Sequence, residues 1–195
     1  MVSRRRLSAL DVSHFVDLEV FNPACALSLL EQIAGAERVN AEPAAASALT
    51  ALCGHLPLAV RIAAARVSAS PGTSMSWLVQ QLMDERSRLD ELSIGDLDVR
   101  TTIAAGYQGL SAVEQRTLCR LALLDAADFP AWAVAAAADL TTAENRQVLR
   151  ALVDRRLLDE VRVDHAGQLR YGLHCLVRIF AREPPGRSHR QHSSR

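Results

Sequence analysis

The stretch Cys53-Gly54-His55-Leu56-Pro57-Leu58 separates two alanine-rich segments, and both flanks are written at helical spacing. Glu42 to Leu52 reads as one helix. Leu58 to Val67 reads as the next, with Leu58, Ile62 and Ala65 on one side. Gly54 can take the left-handed backbone that ends a helix. Pro57 suits the first turn of the following one, where its missing N–H would have had no partner. Two meanings stay open for this joint. It is either a tight helix–helix corner or a nucleotide contact, in which the Pro57 ring packs on a purine while nearby backbone groups read its edge.

Composition supports a helical answer. With 4% aromatic residues, the core must rest on Leu, Val, Ile and Ala, and abundant alanine favours helix over sheet. A chain of 195 residues can hold one or two small domains with real cores. The net charge of zero gives no global attraction to nucleic acid or acidic membranes. All 22 basic residues are arginine, so the lysine of a phosphate-gripping Walker A loop is missing. Cys25, Cys53, Cys119 and Cys175 form no C-x-x-C pair, which argues against zinc; the first three are expected to be small buried residues. The longest apolar run, Ala131 to Ala138, is too short to span a bilayer, and a cytoplasmic protein without membrane contact is expected. No Ser/His/Asp order, metal spacing or carboxylate pair stands out, so no catalysis is expected.

Along the chain, His14 to Val20 alternates like a strand. Helices are predicted at Pro23–Ala34, closed by Gly35, then at Glu42–Cys53 and Pro57–Val67. Met75, Leu78, Val79, Leu82 and Leu89 predict one further helix, with Asp84, Glu85, Arg86 and Arg88 as its solvated face. Ser93 to Asp98 reads as a linker. Helices then follow at Val99–Tyr107, from Leu110 with Ser111 and Glu114 spaced as a capping box, at Pro130–Asp139, and at Thr142–Leu158 behind Thr141. Strands at 160–164 and 168–172 flank the turn His165-Ala166-Gly167, and Leu173 to Arg182 returns to helix. The fold class is therefore mainly α: a small helical domain followed by a winged helix with a short β-hairpin.

Three short motifs carry a family resemblance. Gly54-His55-Leu56-Pro57-Leu58-Ala59 resembles the Gly-Leu-Pro-Leu-Ala motif of STAND/NB-ARC nucleotide-binding switch modules, most closely those of AfsR-like (SARP-type) actinobacterial transcriptional regulators. Val2-Ser3-Arg4-Arg5 looks like the family's strand-end sensor, and Leu173-His174-Cys175-Leu176 like its later Met-His-Asp segment. The resemblance implies a remnant of the nucleotide-binding α/β core at 1–22, while the residue patterns give a helical domain at 23–91 and a winged-helix domain at 92–183, and the segment 184–195, without an apolar anchor, is expected to be a disordered tail. The resemblance also implies that the chain begins inside a domain, as a truncated or split gene product would, and two candidate partners stay open: a separate protein partner or the missing nucleotide-binding half.

The same resemblance implies ATP or ADP as the ligand and assigns roles to Arg4, Pro57 and His174. Arg4 would reach the terminal phosphate of ATP; the competing reading is a basic cluster at the N-terminus. His174 would contact the diphosphate of ADP and hold the winged helix closed; the competing reading is a capping residue at a strand-to-helix junction. Cys175 departs from the family's aspartate. The rival function is a winged-helix DNA-binding regulator using Arg146, Arg150, Arg155 and Arg156, against which Glu144, Asp154, Asp159 and Glu160 weigh.

Overall fold

The computed structural model describes residues 20–70 and 72–183. Arg4, the expected strand before Val20 and the tail at 184–195 lie outside that range. The described chain is mainly helical, a helical domain followed by a small winged-type hairpin.

The first group of helices is α1 (Pro23–Ala34), α2 (Ala36–Ala41), α3 (Pro43–Leu52) and α4 (Pro57–Ala69). α1 starts where the Asn22 side chain accepts the Cys25 N–H at 2.8 Å, beside a proline in the first turn. It packs on α3 and α4. Ala26, Leu30, Leu49, Ala59 and Ile62 are all fully buried at that junction, and the alanines let the helices approach closely. Each large apolar side chain so buried contributes about 1.5–3 kcal/mol. Of the predicted α4 face, Ile62 is buried, whereas Leu58 and Ala65 are half-buried. The short α2 has no counterpart in the sequence reading. Its one buried residue is Val39, too little for a periodic signal.

One expected helix is two. α5 (Met75–Met83) stops at Asp84, whose backbone is extended (φ −73°, ψ 108°) and whose carboxylate accepts the Arg86 N–H at 3.0 Å to start α6 (Glu85–Glu91). Arg88 is not part of a solvated face. It is 8% exposed, and its guanidinium donates to the carbonyls of Leu82 and Met83, capping the end of α5. Glu42 ties the start of α3 to that of α5 by accepting the Met75 and Ser76 N–H groups at 2.9 and 3.0 Å. Its pKa is held below the ordinary carboxylate value, first by the Ser76 hydroxyl and then by these amides.

The expected linker folds as a small antiparallel pair, β1 (Ser93–Ile94) and β2 (Leu97–Asp98). Asp98 then caps α7 (Val99–Gln108) through the Thr101 N–H at 2.6 Å. α8 (Ala112–Ala122) opens with the predicted Ser111–Glu114 capping box. Next come β3 (Asp128–Pro130), α9 (Ala131–Ala138) and α10 (Thr142–Asp154), the last with a second capping box between Thr141 and Glu144. α10 ends four residues earlier than expected, and Arg156 takes a left-handed backbone (φ 57°) that turns the chain.

β4 (Asp159–Val163) and β5 (Leu169–Gly172) form the hairpin, and α11 (Cys175–Arg182) follows. The predicted two-stranded ribbon has three strands, in the order β3-β5-β4, all antiparallel. Asp128 on β3 binds Arg170 on β5 and Arg162 on β4 across one face, and these two guanidiniums, Arg170 foremost, lower its pKa.

α11 joins the two parts of the chain, lying against α8 on one side and against α6 and α7 on the other. Arg178 donates to the carbonyls of Leu124 and Ala126, and Arg182 to Ala122, so the end of α8 is capped from α11. Arg100 on α7 pairs with Asp90 on α6 and with Glu183 after α11.

Candidate functional site at the Gly54 corner

α3 ends in a Schellman motif. The Gly54 N–H bonds the Ala51 carbonyl at 2.9 Å, the His55 N–H bonds Thr50 at 3.0 Å, and Gly54 is left-handed at φ 60°. His55 follows at φ 54°, so two successive residues turn the chain before Pro57 opens α4. Phe21 enters beside this turn, its N–H bonding the His55 carbonyl at 3.0 Å. The segment that precedes α1 therefore meets the corner directly.

The Gly54 carbonyl, unused by the Schellman pair, points at α11. His174 Nε2 lies 2.9 Å from it, across 120 residues of sequence. The other ring nitrogen, Nδ1, accepts the Leu176 N–H at 3.2 Å and caps α11. An accepting Nδ1 carries no proton, so the ring is the neutral Nε2–H tautomer and donates to Gly54. The fit is close: a Cβ on Gly54 would stand 2.5 Å from His174 Cε1 and Nε2 and 2.6 Å from Cys175 Sγ. Only glycine serves here, for backbone and for space.

Two thiols and a cation surround the contact. Cys53 is fully buried, and burial pushes its pKa up to about 12; the adjacent Cys175 adds to the rise and Arg88 opposes it. Cys175 is half-buried, and burial raises its pKa too, against Arg88 and the N–H groups of its own helix start. Contrary to expectation, Cys25 is exposed and Cys119 half-buried. Among the described residues no His, Cys, Asp or Glu cluster could hold a metal.

Of the three candidate residues, Pro57 and His174 belong to this corner, Pro57 half-buried in the first turn of α4 and His174 bonded to its start at Gly54. Arg4 lies outside the described range. Both His174 nitrogens are engaged within the protein, so the donor that suits a phosphate oxygen, Nε2–H, is held by Gly54. Arg88 is the residue that sequence reasoning missed. Nothing local marks a charged side chain three positions past a helix start for burial. Two surface hollows lie elsewhere among the described residues: one of about 270 Å³ is lined by Arg116, Arg120 and Glu144, and one of about 220 Å³ lies beside Trp77. On α10, Arg146 and Arg150 are exposed, while Glu144 is folded back into the cap.

No family model matches the chain. The chain is similar to regulatory protein AfsR. It is 44% identical to AfsR of Streptomyces griseus over 182 residues, which is 93% of this chain. It is 40% identical to AfsR of Streptomyces coelicolor over 190 residues, or 97% of this chain. It spans 18% and 19% of the lengths of those AfsR proteins. The similarity thus includes the Gly54 corner, the winged-type hairpin and α11 together. No described helix is long and apolar enough to cross a membrane.

Proposed function

We propose that this chain is the regulatory segment, helical lid plus winged helix, of an AfsR-like STAND switch that controls transcription in response to ATP or ADP in the cytoplasm. The observation that carries the reading is the His174–Gly54 hydrogen bond, which brings two of the three family-like motifs to one point. In this reading α11 is the hand and the corner the hold. His174 fixes the winged helix against the lid, and its Nε2–H is the donor that a diphosphate would take from Gly54. The nucleotide would supply the anion. The chain supplies the neutral imidazole, the capped helix start and the Pro57 surface. Without a Walker lysine it performs no hydrolysis alone, and a partner polypeptide or preceding segment holds the phosphates.

A chimera tests this directly. The matching segment of S. griseus AfsR is replaced by this chain, and ADP retained through purification is measured by release and chromatography. Retention that falls at least tenfold on His174→Ala supports the reading. Equal retention in both proteins, or ATP turnover by the isolated chain abolished by His174→Ala, contradicts it.

A further inference from the structure

We propose that Cys53 and Cys175 are a redox pair that forms a reversible disulfide, locking α11 to the end of α3 and so the winged helix to the helical domain. Cys53 closes α3 and Cys175 opens α11, although 122 positions separate them. Between them stands Gly54, the one residue type that puts no side chain in the way. The Cys175 sulfur packs where a Gly54 Cβ would be, 2.6 Å from that position. The Cys53 thiol feels Cys175 across the corner, and the Arg88 guanidinium acts on both sulfurs. A single buried cation near two sulfurs places all three groups in one cluster.

Their exposures divide the labour. Cys175 is half-buried, at a helix start whose N–H groups favour a thiolate, so it is the thiol an oxidant reaches. Cys53 is fully enclosed and serves as the resolving thiol. With hydrogen peroxide as oxidant, the Cys175 thiolate attacks one peroxide oxygen. An S–O bond forms, the O–O bond breaks, and hydroxide leaves as water with the thiol proton. The Cys53 sulfur then attacks the Cys175 sulfur; the S–S bond forms, the S–O bond breaks, and a second water departs with the Cys53 proton. Two thiols and one peroxide give one disulfide and two waters. A dithiol reductant reverses the change by exchange. Burial keeps both thiols protonated at neutral pH, so the oxidation is slow and quickens as pH rises.

The test is peptide mapping of the whole chain after hydrogen peroxide treatment, with free thiols blocked before digestion without reductant. Folded protein is compared with protein in urea. The expected product is a Cys53 peptide joined to a Cys175 peptide, two hydrogens lighter than the pair, removed by dithiothreitol and several-fold more abundant from folded protein. Cys53→Ser should abolish it and leave a Cys175 sulfenic acid that dimedone traps. Cys25→Ser/Cys119→Ser, which keeps both corner thiols, should still form it. Cys175 overoxidised or paired with Cys25 or Cys119 in the folded wild type overturns the proposal. So does a Cys53–Cys175 link no more frequent from folded protein than from urea.

Discussion

Replacing Gly54 by alanine is the sharpest perturbation the corner allows. The new methyl group would stand 2.5 Å from two atoms of the His174 ring and 2.6 Å from Cys175 Sγ, at a residue whose φ is 60°. Left-handed backbone costs a non-glycine residue about 1–2 kcal/mol. Moving a packed ring and a thiol aside costs about 1–3 kcal/mol more. Gly54→Ala should therefore lower stability by about 2–5 kcal/mol, read as a shifted midpoint in urea denaturation followed by circular dichroism. His174→Ala alone removes the cap on α11 and the bond to Gly54, about 1–3 kcal/mol together. In the double variant the ring that the methyl group strikes is already gone. Its loss should fall short of the sum of the single losses by about 1 kcal/mol or more. A Gly54→Ala protein within about 0.5 kcal/mol of wild type, or strict additivity, would refute the packing argument.

Glu42→Ala should lower the urea midpoint at pH 6 but hardly at pH 3. The folded-state pKa of Glu42 is depressed, so its stabilising effect is present above the ordinary carboxylate value of about 4.3 and fades as pH falls below it; equal losses at both pH values would contradict the assignment. Arg178→Ala frees the carbonyls of Leu124 and Ala126 from their cap and should cost about 2–3 kcal/mol, with Arg178→Lys recovering only part of it on thermal melting. The winged-type domain should not shift a DNA duplex at physiological salt, because the exposed Asp159 and Glu160 of β4 oppose Arg146 and Arg150 on α10. Sequence-selective binding lost on Arg150→Ala would favour the DNA-reading alternative.

What the sequence disclosed was local. The Ser111–Glu114 capping box, the Thr141 cap and the Gly54 stop are set by residues within three or four positions of each other, and they stand as patterns in the chain. The break at Asp84 was hidden because Leu82 and Leu89 keep one helical period across it, and both are buried on either side. β3 was hidden because three residues make no pattern; β5 defines it by pairing Phe129 with Tyr171. Arg88 looked like a surface charge, and only the exposed carbonyls at the end of α5 explain its burial. At the site, the two motifs were visible as words, but that His174 spends its Nε2–H on Gly54 follows from tertiary packing alone.

His174 bridges the corner and α11 as a neutral ring with the proton on Nε2. Long-range proton–nitrogen NMR correlation of the imidazoles, assigned by comparison with His174→Gln, reads this directly. The expected spectrum shows a single Nε2–H tautomer with a bare, hydrogen-bond-accepting Nδ1, and a ring proton protected from exchange until the protein unfolds. A rapidly exchanging mixture of tautomers, or a proton on Nδ1 in the folded chain, would contradict it.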